Sequence, residues 1–148
     1  MTRARFAARL LGSRRGAAAV EFALLAPAFI VMLLGVLQVG IGMQNYNALR
    51  SVSADVSRYA MVQYATGNRL SSEQLRSYAL ATGLSAPYLL DRSTFDAGVE
   101  EATAQRVSGA TELTLRLDYQ VPSLFSTIGL EGPYINYTRP IFVNPPPA

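Results

Sequence analysis

The chain has 148 residues, enough for one modest folded domain and a membrane anchor. It contains no histidine and no cysteine, which excludes the usual catalytic triads, zinc sites, thiol nucleophiles and disulfides. All 13 basic residues are arginines, and five of them precede Gly16 without a single acid, so the pI of about 9.5 describes that leader rather than a nucleic-acid-binding surface.

An uncharged run of 22 residues, 22–43, follows the leader and is called the apolar segment below. Its length is sufficient to cross a bilayer as a helix, the form in which a backbone satisfies its own hydrogen bonds in lipid. The arginine bias predicts a cytoplasmic N-terminus and a periplasmic remainder. An ordinary secretory signal is disfavoured, because the apolar segment is too long and the small residues 17–19 precede it.

One carboxylate, Glu21, stands at the mouth of the apolar segment, five residues after Gly16. An ionisable group at that depth is costly and usually has a function and a partner. The order of basic leader, glycine, small residues, glutamate, Phe22 and apolar helix resembles the processing site of type IV prepilin-like proteins. The resemblance implies cleavage between Gly16 and Ala17 by a prepilin peptidase, with Glu21 and Phe22 then docking the helix among other pilin-like subunits. Gly16, lacking a Cβ, suits an extended peptide lying close against a protease.

Residues 15–27, which end at Pro27, look more narrowly like the opening of TadE-like proteins of the tight-adherence (Flp) pilus machinery. The resemblance implies a minor pilin or pseudopilin-like component of the bacterial inner membrane, either kept there for assembly or carried into a surface pilus. Its implied partners are the prepilin peptidase, other pilin-like subunits, the Tad assembly platform and the lipid bilayer. Pro27 is expected to bend the helix. The alternative is an unprocessed membrane-anchored periplasmic scaffold or binding module.

Beyond residue 43 the helix is expected to continue to about Thr66, with an apolar stripe for packing on its own domain, formed by Leu49, Val52, Val56 and Tyr59. Gly67 suits a left-handed cap. Ser71 and Gln74 form a capping box that starts a second helix, with Leu75, Tyr78 and Ala79 on its buried face and Gly83 at its end.

Strict alternation over residues 112–121 predicts a half-buried strand, with leucines, Tyr119 and Val121 on one face and Glu112 among the polar residues on the other. Phe95, Ala97 and Val99 suggest a partner strand, and residues 134–143 another, at an edge because of Pro140. The predicted class is α+β: leader 1–16, transmembrane helix 17–43, periplasmic domain 44–144 with a second helix and a short antiparallel sheet, and Pro-rich tail 145–148.

The remaining polar groups do not suggest chemistry. Asp91, Asp96, Glu100 and Glu101 lack the glycine and alternating ligands of a calcium loop, and a solvated charged surface is the better interpretation. We therefore expect no enzyme activity, cofactor, metal or nucleic-acid partner.

Overall fold

A computed structural model describes residues 14–144 of the chain. Most of the predicted leader and the predicted Pro-rich tail 145–148 lie outside the described residues. The elements in order are α1 (Arg14–Ala65), α2 (Ser72–Leu84), β1 (Phe95–Glu101), β2 (Thr111–Gln120), a short 3-10 helix (Ser126–Ile128) and β3 (Tyr134–Val143). The predicted α+β class is confirmed. The chain divides into two compact units between Val39 and Gly40, and the second unit carries the sheet.

The second half of α1 forms one wall of the core. Leu49, Val52 and Val56 are fully buried and Tyr59 is half-buried, so the predicted stripe packs on its own domain. The helix is followed by Gly67 at φ 84°, in the left-handed region that glycine tolerates.

Helix α2 begins as predicted. The Ser71 hydroxyl accepts from the Gln74 amide, and the Gln74 side chain accepts from the Ser71 amide, which together form a capping box. The Tyr78 ring stacks on Tyr59 of α1 with centroids 3.9 Å apart. The helix ends at Leu84, one residue beyond the predicted end at Gly83. Gly83 is a buried residue of α2, and a Cβ there would overlap the Phe95 ring, so close packing rather than capping requires the glycine.

The sheet is antiparallel in the order β1-β2-β3, with β2 in the centre. One face packs on the helices through the alternating residues of β2, the other faces solvent, and β2 begins one residue earlier than predicted. Pro140 lies on the edge strand β3, opposite Thr114. The Val121 amide donates to the Pro133 carbonyl (3.0 Å), and alternation along the ladder then turns the backbone of Pro140 toward the free edge, where its missing donor costs nothing.

Glu112 departs from the predicted polar face. Its side chain is only 5% exposed and forms an ion pair with Arg106 of the β1–β2 loop, whose backbone amide also donates to the carboxylate (3.3 Å). The hydrogen bonds from Arg106 lower the pKa of Glu112 below its ordinary 4.5. Alternation identified the strand correctly, but the burial of Glu112 depends on a loop that folds over it.

Candidate processing and membrane-anchoring site

The four residues predicted for processing and docking lie together at the start of α1. Gly16, Ala17, Glu21 and Phe22 are all exposed, and Phe22 exposes 73% of its surface. At a rise of 1.5 Å per residue, Glu21 stands about 7.5 Å along the helix axis from Gly16. The carboxylate is therefore within about one and a half turns of the predicted scissile bond and accessible to a neighbouring chain.

The described part of α1 already includes Arg14 to Gly16, so the bond between Gly16 and Ala17 is helical, whereas the sequence predicted a start at Ala17. Glycine has a weak helical preference, so Gly16 lowers the free-energy cost of opening the helix at this bond.

The apolar segment is largely exposed, and within the described residues only its last part, at Ile41 and Gly42, lies against the core of the second unit. None of residues 22–43 is buried, and large side chains such as Leu24 (74% exposed) and Met32 (70%) stand fully outward. Helix Gly16–Ala65 is the one described helix long and apolar enough to cross a membrane, with a mean hydropathy of 2.4 in its most apolar stretch. The core helix of a soluble protein would bury this surface, whereas lipid or other apolar helices would cover it here.

Pro27 lies within this exposed half of α1, and the helix continues past it. Proline has no amide hydrogen, so the carbonyl of Ala23, four residues earlier, loses its usual helical partner. Gly35 and Gly40 have nothing within 4 Å of where a Cβ would stand, which is consistent with ordinary use of glycine in an apolar helix.

The acidic residues considered in the sequence are spread over a solvated surface. Asp96 pairs with Arg76 of α2 at 3.0 Å. Asp91 accepts from the hydroxyl and the amide of Ser93, and these hydrogen bonds lower its pKa. No group of three or more potential metal ligands occurs within the part of the chain that the structure describes. The contacts of these carboxylates are structural.

Two features of the second unit were not predicted. The Arg76 guanidinium donates to the Ala97 carbonyl (2.7 Å), at an outward-facing position on the free edge of β1. Without Arg76, the Ala97 carbonyl could accept a hydrogen bond from a strand of another chain, so Arg76 protects this edge from strand addition. The residues of the β2–β3 connection also come to lie beside α1. Both features join residues distant in sequence, and no local pattern identifies them.

The first unit contributes an exposed apolar half-helix that could span a membrane, and the second unit is a small α+β fold. A comparison with protein families matches residues 16–58 to the family described as TadE-like protein. The resemblance inferred from residues 15–27 is thereby confirmed over a segment that contains Gly16, Glu21, Pro27 and part of the buried stripe. Neither the curated proteins nor the solved structures gave a match. The likeness to this family covers 43 of the 148 residues, all of them in α1.

Proposed function

We propose that the chain is a minor pilin or pseudopilin-like component of a tight-adherence pilus or its assembly machinery, made as a precursor and cut after Gly16. The observation that carries the proposal is the juxtaposition, within the segment similar to TadE-like proteins, of Gly16 and Glu21 on an exposed helix. The chain has no catalytic role in this proposal.

The proposed sequence of events begins in the inner membrane. The arginine-rich leader stays in the cytoplasm, the apolar segment spans the bilayer, and the unit beyond it faces the periplasm. A prepilin peptidase hydrolyses the bond between Gly16 and Ala17, which removes the leader and creates an α-amino group on Ala17. The mature helix then begins with a small residue, a new positive charge and, four residues later, Glu21.

Glu21 acts in the next step, when helices associate. A carboxylate in an apolar layer is tolerated when it is paired, and the α-amino group of Ala17 on an adjacent subunit is the matching cation. The exposed side chains of the apolar segment supply the remaining contact between helices. The partners of the chain are thus the peptidase, other pilin-like subunits, the assembly platform and the lipid that holds the helix before assembly.

Two substitutions separate processing from docking. Gly16→Val places a branched side chain beside the scissile bond, so uncut precursor should accumulate in the membrane. Glu21→Ala leaves that bond unchanged, so cleavage should proceed while assembly of pili declines. The measurements are an immunoblot that resolves precursor from mature chain and a count of surface pili.

Matched controls exclude a general effect on the helix. Gly35→Val makes the same change in the same helix, where nothing lies within 4 Å, and should mature normally. Glu21→Gln keeps the shape and removes the charge, so it should reproduce the assembly defect of Glu21→Ala. Normal maturation of Gly16→Val would contradict the proposal and favour an unprocessed membrane-anchored scaffold or binding module.

A further inference from the structure

The connection between β2 and β3, residues 121–133, lies at the level where the apolar segment of α1 ends. A Cβ on Gly42, the penultimate residue of that segment, would stand 3.8 Å from the side chain of Pro133. The helix then continues away from this point along the sheet, where Leu49 and Val52 are buried. Gly42 and Pro133 both belong to the second unit, so one end of the β2–β3 loop lies beside the last residues of the apolar segment.

Both ends of the β2–β3 loop are fixed to the sheet and to each other. The Val121 amide donates to the Pro133 carbonyl (3.0 Å), and the Gln120 side chain donates to the Gly132 carbonyl. Gly132 passes so close to the backbone of Val121 that a Cβ would overlap the Val121 carbonyl oxygen. The loop therefore has a defined position relative to α1.

The middle of the loop pairs much of its own backbone. The Ile128 and Leu130 amides both donate to the Phe125 carbonyl, at 3.0 and 3.3 Å. The Gly129 amide donates to the Ser126 carbonyl (3.0 Å), with Gly129 in the left-handed region at φ 78°. Removing backbone amides and carbonyls from water costs less free energy when they already form hydrogen bonds within the loop.

The same turn directs apolar side chains outward. Ile128 is 69% exposed and Leu130 is 56% exposed, on either side of Gly129. Glu131 is the only charged residue between positions 121 and 133. On α1, one turn beyond Gly42, Tyr46 is 45% exposed and belongs to the residue type enriched at membrane interfaces. The loop therefore exposes two apolar side chains and carries one charged residue, and its end at Pro133 lies beside Gly42.

We propose that the β2–β3 loop is a membrane-contact element, with Ile128 and Leu130 entering the interfacial region of the outer leaflet of the inner membrane. The proposal commits to lipid because the two exposed side chains are apolar and Glu131 is the single charge of the loop, and because side chains of this kind partition into the headgroup and acyl boundary. The loop gives the second unit a second attachment to the bilayer beside its helix. This proposal requires that α1 spans the membrane, and it does not depend on the proposed role in a pilus.

The absence of tryptophan from the chain makes a direct test available. Three full-length variants, each with a single tryptophan, are reconstituted at low protein-to-lipid ratio in vesicles of phosphatidylethanolamine and phosphatidylglycerol, with or without lipids brominated near the headgroup. Ile128→Trp probes the loop. Val107→Trp is the matched control, an aliphatic residue 48% exposed in the loop at the opposite end of β2, about 30 Å away at strand rise. Leu33→Trp probes the apolar segment itself.

The expected result is quenching by brominated lipid at positions 33 and 128, with fluorescence at 128 reduced at least about twofold more than at 107. Because Ile128 is exposed, the substitution requires no repacking, and Leu130→Trp repeats the measurement at an independent site. Circular dichroism verifies that each variant is folded.

The other outcomes overturn the inference in distinguishable ways. Quenching at position 33 with equal fluorescence at positions 128 and 107 would mean that the helix enters the bilayer and the loop does not contact it. Protection of position 128 from both lipid and aqueous quenchers would mean that a protein surface covers it. No quenching at position 33 would mean that α1 does not enter the bilayer. Both this inference and the proposed function would then be contradicted.

Discussion

Two glutamates of this chain have different surroundings. Glu112 is buried in the second unit, where Arg106 compensates the cost of removing its charge from water. Glu21 stands exposed at the mouth of the apolar segment, and in the proposed function its partner is supplied by another chain. Position 21 was identifiable from the sequence because its unusual neighbours are adjacent along the chain. Glu112 was not, because it looks like any polar residue of an alternating strand.

The pair of Glu112 and Arg106 predicts a pH dependence of stability. Because Arg106 lowers the pKa of Glu112, the folded state binds the proton more weakly than the unfolded chain does. The resulting stabilisation is fully present above the ordinary pKa of 4.5 and is lost as pH falls through the lower folded value. Glu112→Gln should therefore lower the free energy of unfolding at pH 7, and the difference from wild type should shrink in acid.

Urea unfolding of residues 45–148 between pH 7 and pH 3 measures this dependence. Glu100→Gln, which changes an exposed glutamate of β1, is the control and should have little effect on stability at pH 7. A deficit in Glu112→Gln that is equal at both ends of the pH range would contradict the role assigned to the ion pair.

At the scale of elements, local signals in the sequence were sufficient for most of the fold. The capping box at Ser71, the left-handed position at Gly67 and the alternation of β2 each involve neighbours in sequence, and each occurs as predicted. The errors involve contacts across the fold. Gly83 was interpreted only as the end of α2, because its close packing against Phe95 is not visible along the chain. The position of the β2–β3 loop beside Gly42 likewise depends on the register of the sheet.

Helix α1 combines two surfaces, and the buried one predicts that the second unit is stable without the anchor. Residues 45–148 retain Leu49, Val52 and Val56 in the core and should unfold cooperatively. Val52→Ala should cost about 2 kcal/mol, because it removes buried methyl groups and leaves a cavity.

The matched control is Val62→Ala in the same helix, where the valine is 54% exposed and the cost should be within about 0.5 kcal/mol. Chemical denaturation of the three proteins compares them directly. Equal effects at positions 52 and 62, or the lack of any transition in residues 45–148, would mean that the stripe serves a partner rather than the core.

At the scale of the whole molecule, one chain contains two units with opposite needs. The unit from Gly40 onward buries its apolar surface in a small core formed by two helices and a three-stranded sheet. The preceding unit leaves its apolar surface exposed and needs lipid or other helices to cover it. The proposed function requires this combination, because a subunit that is held in a membrane before it joins an assembly needs both a folded unit and an apolar helix.

The most direct test of that account is the mass of the chain extracted from membranes of a cell that makes a prepilin peptidase. Mass spectrometry with N-terminal sequencing should find a mature chain that begins at Ala17 and lacks residues 1–16, and the same cells without the peptidase should contain only the longer form. A chain that still carries residues 1–16 in cells with an active peptidase would contradict the proposed function.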